Sequence, residues 1–455
     1  MMWKNRLHSL SLALAARACY YPLHLAAVLI PRPAGGWTAL DLTLSFCSDF
    51  GALSVPMTEN VNAYIDDVDN IRCESATTVV VSGPFELRLT SNSPSSLRLI
   101  NLRFVVEDGA TLRVDLSNED FETQERPLTF DGVVRSVSDG GVLQVNRGAV
   151  AIFSVPVCFE DNSVAMGFSG GAIHVDGMVI FEHAAHFEGN LAGGGGSSCG
   201  GAVSVGEGGR IVFSEFTTFQ DNSSERGGAL CNRGSTAFYR RSFFTGNSAI
   251  ASGDDAEGVA VGGDGGAVYT AHGSQMVFRR KSTMLINHAD GSGGAMYNSG
   301  TSSFETSAAF QGNGAKGISR RIEEMKGGED DIGGGHVFNS GDFAIRGDVS
   351  FREGATGAHG GAVYTLNGNK TVLGGITILA DNHAEGHCDN LFSHIGGGGI
   401  RLMTTSPAQP GEELEGRPGV VTMNAMNTMN TVDNAVNVKR RRTMTPAPRT
   451  TPCQP

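Results

Sequence analysis

Charge and tryptophan are both scarce in this chain. Charged side chains make up 18% of its 455 residues, and only two are Trp. Soluble domains usually carry about 25% charged residues, so little here suggests an ordinary globular enzyme. A β solenoid, rich in small and β-branched residues, fits better. The eight cysteines (Cys19, Cys47, Cys73, Cys158, Cys199, Cys231, Cys388, Cys453) contain no C-x-x-C pair. That argues against a zinc or iron–sulfur centre of standard spacing. In a secreted chain some would pair, with Cys47–Cys73 as one staple; otherwise they stay as half-buried thiols.

Long apolar runs are missing too. Leu10–Ala16 and Leu23–Ile30 are separated by Arg17, and a spanning helix needs ~20 apolar residues. Lys4 and Arg6 precede the first run, and Ala16-Arg17-Ala18 is a small-x-small pattern. Residues 1–30 therefore read as a secretory signal. The alternatives are a membrane anchor, an organelle transit peptide or a misplaced start. Membrane contact is expected only through this segment, if it is uncleaved. The formal net charge is −13, and residues 41–402 hold 43 acidic against 24 basic side chains. Such a body repels nucleic acid and anionic membranes. It suits divalent cations or neutral partners better.

Glycine is abundant instead, at 63 residues, without a collagen period. It marks a repeat. Gly-Gly, a small residue and an apolar one recur from Gly140, Gly170, Gly200, Gly227, Gly265, Gly293, Gly334 and Gly360, and more loosely from Gly397. A Phe-x-x-Asn-like element follows each of the first eight, starting at Phe159, Phe187, Phe219, Phe244, Met284, Phe310, Phe351 and Leu379. Its offset from the first Gly is always 17 or 19. A two-residue change preserves which side chains of a strand face inward; a helix has no reason to respect that parity.

Two further columns are apolar. One, six residues before the element, reads Phe153, Phe181, Phe213, Phe238, Phe278, Phe304, Ile345, Leu373. The other, three after the first Gly, reads Leu143, Ile173, Val203, Leu230, Val268, Met296, Val337, Val363 and then Ile400. These must face the core of coils stacked ~4.8 Å apart. The closing residue is Asn162, Asn190, Asn222, Asn247, Asn287, Asn313 and Asn382, with Gly354 once in its place. Asn is expected to hold a turn, where it tolerates the left-handed conformation, and to bond the next coil.

The fold expected is all-β, a right-handed parallel β-helix of nine to twelve coils over residues 79–402. Residues 31–78 read as an N-terminal cap or irregular region. Residues 403–455 read as a disordered, low-complexity tail.

The pairs Gly170-Gly171-Ala172-Ile173 with Phe187-Glu188-Gly189-Asn190, and Gly293-Gly294-Ala295-Met296 with Phe310-Gln311-Gly312-Asn313, carry a resemblance. They look like the passenger repeats of chlamydial polymorphic outer membrane proteins, and similar repeats occur in β-helical surface proteins of algae and other protists. The resemblance covers roughly 140–400. It implies a pectate-lyase-like β-helix, secreted or displayed at the cell surface, often associated with adhesion. The bacterial proteins end in an outer-membrane barrel; this sequence instead ends in a polar segment.

Where chemistry would sit is less determined. Long excursions (Ser248–Asp264, Gly314–Gly333, His383–Gly396) leave one corner on alternate coils. They are binding loops on a rigid scaffold or tolerated insertions. Four residues after the first Gly, the outward row ends in Tyr269, Tyr297, Phe338 and Tyr364. These rings either stack on sugars or stack on one another. Asp254, Asp255, Glu257 and Asp264 crowd one loop, as weak Ca²⁺ ligands or as a solvated acidic segment. Asp161, Asp221 and Asp381 precede ladder positions but are separated by other coils, so no acid cluster is expected. His383, His387, Cys388, Asp389 and His394 gather near the last coil, for a metal or as an end cap. Asn369 is the better glycosylation candidate, because Asn222 belongs to the ladder. No catalytic constellation is recognisable and no cofactor is expected. A glycan or cell-surface protein is the expected partner, with a polysaccharide-active enzyme or a structural wall component as alternatives.

Overall fold

The computed structural model describes residues 39–44, 47–52, 59–65, 70–91, 97–115, 127–133, 136–194, 198–254, 260–317, 333–366, 370–385, 390–393, 399–404 and 419–422. They form a parallel β-helix of about ten turns. In a regular coil, four strands follow one another. The coil beginning at Gly170 has Ile173–Val175, Met178–Phe181, Ala185–Glu188 and the two-residue strand Leu191–Ala192. Each pairs in parallel with its counterpart in the next coil: Ile173 with Val203, Phe181 with Phe213, Phe187 with Phe219. The second strands build a 14-stranded sheet and the short fourth strands an 8-stranded one. The first and third strands share a 20-stranded sheet, because Arg98–Val106 pairs with a third strand at one end and a first strand at the other.

The apolar columns face inward as the parity argument requires. Phe153, Phe181, Phe213, Phe238, Phe278 and Phe304 are buried and in register. Rings in one column lie nearly parallel, with centroids 4.3 Å apart for Phe278 and Phe304. Rings of facing columns meet edge-on, as Phe213 and Phe219 do at 5.8 Å and 85°. Both geometries suit aromatic quadrupoles, each pair adding ~0.5–1.5 kcal/mol beyond area burial.

The two glycines of the repeat serve different needs. Gly170 has φ +70°, and a Cβ there would fall 2.1 Å from the Ile173 carbonyl oxygen. At Gly171 a Cβ would fall 2.1 Å from the carbonyl oxygen of Gly201, in the next coil. The first glycine makes the turn, and the second lets the coils approach.

The recurring asparagines are buried: Asn162, Asn190, Asn222, Asn247, Asn287 and Asn313. From Asn162 to Asn287, each Nδ2 donates to the Oδ1 of the next, at 2.9–3.1 Å. It also donates to a carbonyl of the preceding coil, as Asn222 does to Phe187 O at 3.1 Å. Each Oδ1 further accepts a backbone N–H, as Asn222 does from Asn190 at 3.0 Å. The side chain is satisfied on every side, which a buried amide requires. The left-handed residue is the one before it. Asp161, Asp221 and Asp381 have φ of 53°, 52° and 57°, so the expectation that Asn itself takes that conformation is corrected.

Three boundaries also differ from the sequence reading. The parallel ladder begins before residue 79, with Ala39–Leu44, Asn60–Ile65 and Asn70–Val81 already in the sheets. The Cys47–Cys73 disulfide ties the helix Cys47–Ala52 to it. Ile400 does not continue the first-strand column. Leu391 pairs with Val363 there, whereas Ile400 pairs with Thr371 in the 14-stranded sheet. Within 403–455, Gly419–Thr422 lies antiparallel to Arg401–Thr404 and ends the parallel order; the other residues beyond 404 lie outside the described set.

Candidate functional site

The outward rows of the first and third strands carry the side chains with chemical potential. On the first strand, alternation points Tyr269, Tyr297, Phe338 and Tyr364 outward, and parallel register brings them into one column. Centroids are 5.1, 4.8 and 5.1 Å apart, with interplanar angles of 14° or less. Phe338 and Tyr364 are buried. Tyr269 and Tyr297 are half-buried. Each ring face is thus turned to another ring, and the Arg226 guanidinium carbon lies 5.9 Å from the Tyr269 centroid. The column stabilises its sheet; a sugar would meet ring edges and hydroxyl groups rather than open faces.

In the same row, one coil before Tyr269, stands Cys231, disulfide-bonded to Cys199 with Cα atoms 5.4 Å apart. Two disulfides therefore lie among the described residues.

The third strand holds a charged cluster that the sequence reading missed. Residues following the inward Phe stack as Asp131, Glu160 and Glu188 on successive coils. Arg98 donates from Nε to Asp131 at 3.0 Å and from Nη2 to Glu160 at 3.2 Å. His186 Nε2 meets Glu188 Oε2 at 3.0 Å, and its Nδ1 is bonded to Thr218. Gln220 donates to Asp221 at 3.2 Å. Burial, opposed by Arg98, raises the Glu160 carboxyl above the usual carboxylate range. The His186 hydrogen bond holds Glu188 below it. Burial raises Asp161 too, with Asp131 and Glu188 adding repulsion. The expectation that no acids cluster is therefore corrected. The signal is present in Phe130-Asp131, Phe159-Glu160 and Phe187-Glu188, one position before Asp161 and its equivalents. Adjacent carboxyl groups with opposite proton preferences can divide into an acid and a base.

The remaining sequence candidates separate. Asp264 is buried and its Oδ1 accepts the Ser292 N–H at 3.1 Å. Asp255, Glu257 and the side chain of Asp254 lie outside the described residues, as do Asn369, His387, Cys388, Asp389 and His394. Among the described residues no group of three or more His, Cys, Asp or Glu is arranged to hold a metal ion. No described helix is long and apolar enough to cross a membrane. Asn222 is fully buried in its ladder, so it cannot accept a glycan in the folded chain.

Of the corner excursions, the first contains the antiparallel pair Ala251–Asp254 and Ala260–Gly262. Their roots follow the two-residue strands Ser248–Ala249, Gly314–Ala315 and His383–Ala384, all in one sheet. Comparison of the chain with protein-family models, curated proteins and solved structures returned no match.

Proposed function

We propose that this chain is a secreted or surface-displayed β-helical repeat protein that acts by binding, in the manner of an adhesin. The observation that carries the reading is the loop corner. Long excursions leave a single edge of a scaffold whose central coils are held by aromatic and Asn ladders, and loops on rigid frames are where recognition concentrates. The Cys47–Cys73 and Cys199–Cys231 disulfides support an oxidising compartment. The likeness to chlamydial polymorphic outer membrane repeats points the same way. The test combines location with binding by the full chain. Culture medium or intact-cell surfaces should contain the protein, and glycan-array or cell-adhesion assays should show saturable binding. Retention inside the cell, or an intact fold that binds no surface, would overturn the reading. Tight retention in a wall fraction without saturable binding would mark a structural component instead.

A second reading, a polysaccharide-active enzyme, is favoured by Glu160 and Glu188, whose proton preferences are pulled apart beside Arg98 and His186. Turnover of uronate-containing polymers, with and without Ca²⁺, that disappears in E160Q would support it. No turnover in either form would exclude it.

A further inference from the structure

The turn from the second to the third strand carries three residues per coil. In two successive coils these are Tyr239-Arg240-Arg241 and Arg279-Arg280-Lys281. The flanking pairs Phe238–Phe278 and Ser242–Ser282 set the register. Tyr239 therefore lies beside Arg279, Arg240 beside Arg280, and Arg241 beside Lys281, at the ~4.8 Å coil spacing. Arg241, Arg279, Arg280 and Lys281 are exposed and Arg240 is partly so. The Arg279 guanidinium carbon sits 4.7 Å from the Tyr239 ring centroid. Glu215, one coil earlier, pairs with Arg240 at 3.5 Å, and Glu305, one coil later, lies 3.9 Å from Arg279. Arg241, Arg280 and Lys281 have no ion pair among the described residues.

We propose that this corner is a docking surface for an anionic polysaccharide, sulfated or carboxylated. Five cations on two coils repel one another, and a closely spaced polyanion relieves that repulsion while releasing its own counterions. The block is three residues wide and two coils high, within a body holding 43 acids against 24 bases. A duplex or a bilayer would also meet Glu215 and Glu305, which flank the block one coil to either side. A single polymer strand can follow the corner and avoid them. The proposal names a ligand class for the binding role above and rests on that reading for an extracellular polymer, but not for the charge block itself.

The test uses the full chain with heparin as the sulfated probe and polygalacturonate as the carboxylated one. Neutral dextran, a DNA duplex and phosphatidylserine vesicles are the comparisons. R241S/R280S/K281S should lose heparin or polygalacturonate affinity by about tenfold or more at low salt, with a shallower salt dependence. R210Q, an exposed cation elsewhere, should change nothing. Unchanged affinity in the triple variant would overturn the proposal. So would tighter binding to DNA or vesicles that the triple variant abolishes. The substituted side chains are exposed, so melting temperature should be unaffected; if it falls, K281S alone, expected to lose affinity in part, decides. An intracellular location with polymer binding intact would remove the surface role and keep this site. Secretion without polymer binding would do the reverse.

Discussion

The imidazole of His336 occupies the space that a side chain at Gly354 would need. A Cβ on Gly354 would lie 2.6 Å from His336 Cδ2 and Nε2, and 2.3 Å from the carbonyl oxygen of Gly361 in the next coil. Both residues belong to one coil, the coil that lacks the ladder Asn. Other coils carry Ala where His336 stands, as at Ala295, and Asn where Gly354 stands, as at Asn313. The ring completes the interrupted ladder. Asn313 Nδ2 donates to Nδ1 at 2.8 Å, and Nε2–H donates to Asn382 Oδ1 at 3.2 Å. The exchange of Ala and Asn for His and Gly is therefore a compensated pair.

Double-mutant analysis should show that compensation. H336A leaves one Asn313 amide hydrogen facing a void, at ~1–3 kcal/mol, while Asn382 Oδ1 keeps the Gly354 N–H. G354N collides with the ring. H336A/G354N removes the ring collision and restores an Asn to the ladder, so it should recover part of the loss, short of the backbone shift that the Gly361 carbonyl requires. Denaturant unfolding measures all three; additive single effects would show that the two residues are independent.

Acid should weaken the fold through the same ring. Burial lowers the His336 pKa from 6.5 to about 3, and a protonated Nδ1 would oppose the Asn313 amide. The unfolded chain takes up this proton near pH 6.5 and the folded chain only near pH 3. Stability from neutral His336 is thus complete above pH 6.5 and is lost progressively as pH falls toward 3. Melting temperatures between pH 7.5 and 4 should fall more steeply for the native chain than for H336A/G354N. Parallel curves would count against the ring as the cause.

The second glycine of the repeat should be irreplaceable, whereas Gly208, in the turn between the strands Val203–Val205 and Arg210–Phe213, should not. G171A places a methyl group 2.1 Å from Gly201 O and 2.7 Å from the Leu191 backbone, so two coils must separate. G208A meets nothing within 4 Å and incurs only the strain of φ +80°, ~1 kcal/mol. Thermal melts should show a much larger loss for G171A.

Within the Phe column, F304D buries a carboxylate in place of a ring whose centroid lies 4.3 Å from that of Phe278. It should unfold or severely destabilise the chain, by more than ~4 kcal/mol. S303D, on the opposite face of the same strand and half-exposed, should change stability by well under ~1 kcal/mol. Similar losses from the two would mean that the register is wrong.

Much of the scaffold was legible because a strand repeats every two residues and a coil repeats as a whole. Offsets of 17 or 19 placed Phe153 through Phe304 inside without any contact being known. Where the repeat loosened, the reading slipped. Gly397 resembled a repeat start, yet Leu391, with no Gly-Gly before it, fills the first-strand column. The early strands Ala39–Leu44 and Asn60–Ile65 carry no motif, and only their pairing reveals them as coils.

The sequence by itself determined the fold class, the inward columns and the Asn ladder, since each is a periodic property that any stacked chain of this composition must satisfy. Tertiary structure decided what those periods leave open. It brought Arg241 beside Lys281 across 40 residues of chain, Asp131 beside Glu160 and Glu188, and Cys199 to Cys231. It also turned the outward aromatic row into a self-stacked column. The reason is physical. Inward positions answer to one shared core and repeat in kind with it, whereas outward positions share its register but not its constraint, so their residue types vary and only the side-chain contacts settle what they do.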